Sequence, residues 1–115
     1  MQLNLETAEP YTLSFTPAEG DLNAHGSVHG GVLFHLCSEA VAQFVYSRGR
    51  EGAAADASIH YYRPALPGDK LTITVTERKA GRRLGVYWAE VRDGKGRLLA
   101  DAAFTVAFAE GQEGR

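Results

Sequence analysis

Asn23, His25, His29, Gly30 and Gly31 fall within the nine-residue run Asn23-Ala24-His25-Gly26-Ser27-Val28-His29-Gly30-Gly31, which leads into an apolar stretch from Val32 to Tyr46. Polar residues and glycines at the start of a helix can do a particular kind of chemistry. The first backbone N–H groups of a helix lack internal partners and point outward. The aligned peptide dipoles place partial positive charge at the same end. Glycine lets a ligand come close to the backbone. The run therefore predicts a site for a carbonyl oxygen or an anion at Gly30 and Gly31.

Further along the stretch, His35, Glu39 and Gln43 are spaced i, i+4, i+8 and share one helical stripe. That stripe suits a polar face towards solvent or a subunit interface, with His35 paired to Glu39, or an active-site carboxylate at Glu39. Two usable ligands on one helix are too few for a metal, so none is expected. Cys37 is expected to be a small core residue, and as the only cysteine it can form no internal disulfide. Lys79, Arg82 and Arg83 cluster at a turn, and Arg63 precedes Pro64. These bases are either solvated or available to phosphates.

The elements that must hold these residues follow from periodicity. Residues 1–10 look like a loose arm. Tyr11, Leu13 and Phe15 alternate with Thr12, Ser14 and Thr16, the pattern of a first strand. A helix is expected from about Gly30 to Arg48, with Gly49 and Gly52 placed for a C-cap. Strands are expected at 53–62, 71–76, 84–92 and 97–109, with turns at Pro67-Gly68-Asp69, Gly81-Arg82-Arg83 and Asp93-Gly94. The tail from Glu110 to Arg115 looks frayed. The four later strands can form an antiparallel meander. Only the helix is long enough to cover the resulting sheet. Its apolar residues lie on two sides, Leu33, Leu36, Ala40 and Phe44 on one and Phe34, Val41 and Val45 on another. One curved sheet cannot bury both, so a partner subunit is expected.

Composition excludes other classes. A chain of 115 residues fits one domain, and 44% hydrophobic with 23% charged residues is ordinary for a globular protein. A net charge of −2 argues against nucleic-acid binding. No apolar stretch approaches the roughly 20 residues of a membrane span. The polar, acidic first ten residues do not read as a signal peptide, and a cytoplasmic location is expected.

Together these elements resemble the hotdog fold, an α+β architecture in which a curved antiparallel sheet of five to six strands wraps one long helix. The sequence is similar to the phenylacetate-degradation (PaaI-type) branch of hotdog acyl-CoA thioesterases. The likeness is carried by Leu22-Asn23-Ala24-His25, by His29-Gly30-Gly31 with Leu33-Phe34 and Leu36, and by Tyr62-Arg63-Pro64-Ala65 with Pro67-Gly68-Asp69-Lys70-Leu71. Gly81-Arg82-Arg83 and Val86-Tyr87 form a weaker third block. The resemblance covers roughly residues 11–109. It implies hydrolysis of an acyl- or aryl-CoA thioester by a homodimer or homotetramer (a dimer of dimers). No separate cofactor is implied, because coenzyme A is part of the substrate. In such proteins the thioester carbonyl lies against the first glycine, here Gly30, and the asparagine matched by Asn23 lines the same pocket. His25, His29, Gly31 and Arg63 are implied as substrate neighbours, and a basic rim of Lys79, Arg82 and Arg83 would meet the coenzyme A phosphates.

The chain departs from that pattern at one position. The family's catalytic carboxylate falls eight residues after the first glycine, where this chain has Ser38, followed by Glu39. One residue of helix is a rotation of about 100°. Three alternatives follow. The helix start could be displaced by one residue, so that Glu39 acts as nucleophile or general base. Glu39 would then be desolvated among Phe34, Leu36, Ala40 and Phe44, which favours a base. Ser38 could instead position water while another carboxylate, such as Asp56 of a partner subunit, acts as base. Or the pocket binds acyl-CoA without turnover. A more distant likeness is that of Asp21-Leu22-Asn23-Ala24-His25 to the Asp-x-Asn-Pro-x-His stretch of hotdog enoyl-CoA hydratases, with the proline missing and the histidine one residue early.

Overall fold

The computed structural model describes residues 2–109. Six strands and one long helix follow in the order β1 (Asn4–Ala8), β2 (Tyr11–Phe15), α1 (Gly30–Ser47), β3 (Gly52–Tyr61), β4 (Leu71–Ala80), β5 (Leu84–Arg92) and β6 (Leu98–Phe108). They form one antiparallel sheet in the spatial order β1-β2-β4-β5-β6-β3.

Two expectations are corrected here. Residues 4–8 are not a loose arm. They pair with β2, where Asn4 faces Ser14, and Glu6 accepts a hydrogen bond from the buried Ser14 hydroxyl at 2.7 Å. Nor do the last four strands form a simple meander. Only β4-β5-β6 do; β3 pairs with β6 at the far edge, and residues 62–70 cross back to β4 beside β2. Strand alternation shows which face a strand presents but not its neighbour, so this crossover is invisible locally. The tail beyond Ala109 lies outside the described residues.

The helix has one buried stripe, Leu33, Leu36, Cys37, Ala40, Val41, Phe44 and Val45, recurring at the spacing that keeps side chains on one side of a 3.6-residue turn. It packs against Leu13, Leu71, Ile73, Val75, Tyr87, Ala89, Val91, Phe104 and Val106 of the sheet. Phe34 is half-buried against Phe104, with ring centroids 5.6 Å apart. Gly31, His35, Glu39, Ala42 and Tyr46 form the uncovered side. The helix stops as its glycines suggest. Gly49 has φ +78°, its N–H donates to the Tyr46 carbonyl, and the Arg50 N–H donates to Val45 O. This pair of bonds closes the orphan carbonyls of the last turn. The hairpin at Asp93-Gly94 also forms, but its left-handed residue is Gly96, φ +80°.

The two sheet edges differ. β1 is five residues long and carries Glu6. β3 is ten residues long, almost wholly exposed, free of proline and rich in alanine. Such an edge offers unpaired backbone donors and acceptors to another strand.

Candidate active site at the start of the helix

The loop before the helix is built by its own polar groups. Leu22 and Val28 form an antiparallel bridge. Inside it, Asn23 Oδ1 accepts the His25 N–H at 2.9 Å and the Ser27 N–H at 3.2 Å, while Asn23 Nδ2 donates to Ser27 Oγ at 3.0 Å. This is the local turn chemistry that asparagine performs well. Gly26 supplies the positive φ of +81° that the turn needs. Asn23 therefore holds the loop in shape, and its side-chain oxygen is already engaged. His25 is exposed at the tip.

His29 is the N-cap, with φ −55° and ψ 137° and no capping bond from its side chain. Its backbone does the fixing: the N–H donates to Asp21 O at 2.9 Å, and the carbonyl accepts from Val32 and Leu33. Gly30 and Gly31 are then the first two helical residues. Among the described residues neither of their N–H groups has an acceptor. The expected pair of free, electropositive donors is present.

The two distant sequence blocks meet here. The Val28 N–H donates to Ala65 O at 2.9 Å, and the Tyr61 hydroxyl donates to Gly30 O at 2.7 Å. A cleft of about 320 Å³ opens between them, lined by Val28, Gly30, Leu33, Tyr61, Tyr62, Arg63, Pro64 and Ala65. A Cβ at Gly30 would lie 3.0 Å from the Tyr61 ring and hydroxyl oxygen, close enough that the tyrosine would have to give way. Gly31 has open space at that position. Arg63 is the cation of this cleft. Burial, and secondarily the Cys37 thiol, push the Tyr61 phenol upward, so it stays a donor at neutral pH. Tyr61 was not singled out from the sequence. Its alternation with Ala57 and Ile59, both packed on the core, was the available signal.

Ser38 and Glu39 lie elsewhere on the helix. Eight residues of helix rise about 12 Å, so Gly30 and Ser38 of one chain cannot both touch one carbonyl. Ser38 is half-buried in a larger cleft of about 540 Å³ between the second half of α1 and the start of β3, together with Ala42, Tyr46, Gly52, Ala54 and Phe104. Glu39 is exposed, one helical step round towards the uncovered side. Its expected desolvation among Phe34, Leu36, Ala40 and Phe44 is thus corrected for the single chain. His35 shares this exposure.

Asp56 is turned away from this chain's own helix. It pairs with the outward-facing Thr105, while Ala57 pairs with the buried Phe104, so Asp56 lies on the sheet face away from the helix. The basic turn is also displaced. Arg50, just past the helix, donates from its guanidinium to Gly81 O and Arg82 O, both at 2.9 Å. Lys79, Arg82 and Arg83 therefore sit at the C-terminal end of α1. An 18-residue helix is about 27 Å long, which separates them from Gly30 of the same chain. Arg50 is itself buried, its guanidinium stacked 3.4 Å from the Phe108 ring centroid, a structural role that a lone arginine in sequence does not reveal. Cys37 is a core residue, and burial pushes its thiol up to about 12, far from a useful nucleophile.

Comparison with known proteins adds chemical context. Residues 25–100 match the thioesterase superfamily. An inferred esterase of Deinococcus radiodurans is 36% identical over 101 residues, covering 87% of this chain and 68% of that protein. The acyl-coenzyme A thioesterase PaaI of Escherichia coli is 41% identical over 70 residues, covering 61% of this chain and 50% of PaaI. Among solved structures, a hypothetical thioesterase of Streptococcus pneumoniae with coenzyme A aligns with TM-score 0.84 and 29% identity, over 86% of this chain and 80% of that one.

Proposed function

Because this chain belongs to the thioesterase superfamily, we propose that its glycine-led helix start is the oxyanion site of an acyl-CoA thioesterase, releasing a free acid and coenzyme A. The observation that carries this reading is the pair of unpartnered N–H groups at Gly30 and Gly31 beside the Arg63 cleft. Attack on a thioester builds negative charge on its carbonyl oxygen. A fixed backbone donor stabilises that charge without reorganising, typically by about 3–4 kcal/mol per donor. The coenzyme A in the related pneumococcal structure supports the substrate class. Arg63 is the phosphate contact within the same chain, and His25 and His29 wall the approach.

The working unit of this proposal is a homodimer, alone or paired into a tetramer. The long unpaired β3 edge supports it, as does the 12 Å rise from Gly30 to Ser38. A site that uses the helix start and position 38 or 39 must take them from two copies. In that arrangement Gly30 of one copy holds the carbonyl, and Glu39 of the partner, its exposed carboxylate turned into the interface, acts as base or nucleophile beside Ser38. The basic turn of Lys79, Arg82 and Arg83 reaches the phosphates only from the partner. Asn23 acts through the loop it fixes. A cytoplasmic location belongs to the same proposal and accords with an unpaired cysteine in the core.

One observation favours a second reading. Ser38 occupies the position at which the family has its acid, so the chain could bind acyl-CoA without turnover. Hydrolysis of a panel of acyl-CoA esters by wild type, Glu39→Ala, Ser38→Ala and the double variant decides between them. The thioesterase reading expects turnover in wild type and its loss in Glu39→Ala. Tight binding with no turnover in wild type supports the binding module. Wild-type turnover in Glu39→Ala refutes the assignment of the base.

A further inference from the structure

Tyr61 has a geometry that packing alone does not require. It is half exposed, yet its hydroxyl donates to Gly30 O at 2.7 Å, and its ring lies so close to Gly30 that a Cβ there would push it aside. The carbonyl it grips belongs to the peptide unit whose other end is the Gly31 N–H. A carbonyl oxygen has two lone pairs, so this bond adds to the helical ladder without displacing it. A hydrogen bond at the oxygen of a peptide draws charge from its nitrogen and makes the N–H a stronger donor. It also fixes the plane of that peptide at a helix terminus, where fraying is easiest. Gly31 is exposed, and its N–H has no acceptor among the described residues.

We propose that Tyr61 is a positioning residue for the oxyanion site: its hydroxyl orients and polarises the Gly30–Gly31 peptide, so that the Gly31 N–H joins the Gly30 N–H as a second donor to the substrate carbonyl. This inference rests on the thioesterase reading and deepens it. Tyr61 touches no reacting atom; it works through the peptide. The tyrosine at the end of β3 thus ties the edge strand to the strength of the site.

Tyr61→Phe removes one oxygen and keeps the ring against Gly30. The loss of one neutral hydrogen bond predicts a fall in kcat of about fivefold, with KM unchanged. A merely structural role would instead lower the melting temperature and leave kcat per folded molecule alone. In amide NMR spectra the Gly31 proton resonance should move upfield in Tyr61→Phe while that of Gly30 stays within line width. In a Gly31→Pro background, which lacks the polarised N–H, Tyr61→Phe should have no further effect on kcat. An unshifted Gly31 amide, an unchanged kcat, or an equal loss in the Gly31→Pro background would each overturn the proposal. If wild type hydrolyses no CoA ester, the hydrolase reading fails separately. The Tyr61 proposal is then read from titration with a methyl-ketone analogue of acetyl-CoA: both glycine amides must move downfield in wild type, and Gly31 by less in Tyr61→Phe. Equal movement in both proteins would refute it.

Discussion

Replacing Gly30 by proline removes the first of the two N–H groups on which the proposed chemistry turns. Proline is normally well suited to this position. Gly30 is the first residue of α1, where a missing N–H disturbs no helical bond and the fixed φ of proline suits the helix. The preceding residue must then be extended, and His29 already is, at φ −55° and ψ 137°. The obstacle at Cβ is Tyr61, whose phenol carbon and hydroxyl oxygen would each lie 3.0 Å from it. The substitution is therefore made in a Tyr61→Ala background, with Gly30→Ala in the same background as the control that keeps the N–H. Loss of one oxyanion donor costs about 10²–10³ in kcat, or ~3–4 kcal/mol of barrier. Gly31 still offers its own N–H, so the lower end of that range is expected. Stability should move the other way, because replacing glycine by proline at a compatible site stabilises by about 0.4–1 kcal/mol. Steady-state hydrolysis of acetyl-CoA and a thermal melt measure the two quantities. A kcat within threefold of the Gly30→Ala control, in a protein that melts no lower, would show that the Gly30 N–H does not hold the oxyanion.

Further outcomes follow from the same geometry. If each site draws on two chains, Gly30→Pro/Tyr61→Ala protomers mixed and refolded with Ser38→Ala/Glu39→Ala protomers should recover about a quarter of wild-type activity, since half the dimers are mixed and each has one intact site; no recovery would place both groups in one chain. Glu39→Gln should lower kcat at least about 10²-fold with little change in melting temperature, because the side chain is exposed in the protomer; unchanged turnover would return the role of base to another group. Arg63→Ala should raise KM for CoA esters without lowering kcat, and an unchanged KM would remove Arg63 from phosphate binding. At the β5–β6 turn, burial pushes the Asp93 carboxyl up, but this is outweighed by hydrogen bonds from Arg97 and the Lys95 N–H, which leave it below its ordinary value of 3.8. Its contribution to stability is then present above pH 3.8 and is lost as pH falls through the lower folded value, so Asp93→Asn should flatten the acid limb of a melting-temperature profile. An unchanged limb would contradict that.

The parts of this molecule that were legible in its sequence are those governed by short-range rules. Apolar spacing through Leu33, Leu36, Ala40 and Phe44 marked the helix, and Gly49 marked its end. Alternation at Tyr11, Leu13 and Phe15 marked β2. The polar run from Asn23 to Gly31 marked the helix start and its free donors. Long-range contacts stayed hidden. The β3–β6 pairing and the crossover to β4 depend on which edges meet, and alternation carries no information about that. The strand at Asn4–Ala8 is wholly exposed on both faces, so it shows no burial pattern to read. The exposure of Glu39 in the protomer stayed hidden, because the sequence shows its apolar neighbours but not that they turn away from it. The phosphate role of the basic turn came from the family resemblance, and its distance from Gly30 emerges only with the Arg50 bonds that anchor it at the other end of the helix.

The most direct measurement is a crystal structure with a non-hydrolysable acyl-CoA ketone bound. The ketone oxygen should lie about 3 Å from the Gly30 nitrogen, with the pantetheine arm running out past Arg63. A ketone oxygen held by other groups, with the Gly30 and Gly31 N–H groups facing solvent or protein, would contradict the account at its root.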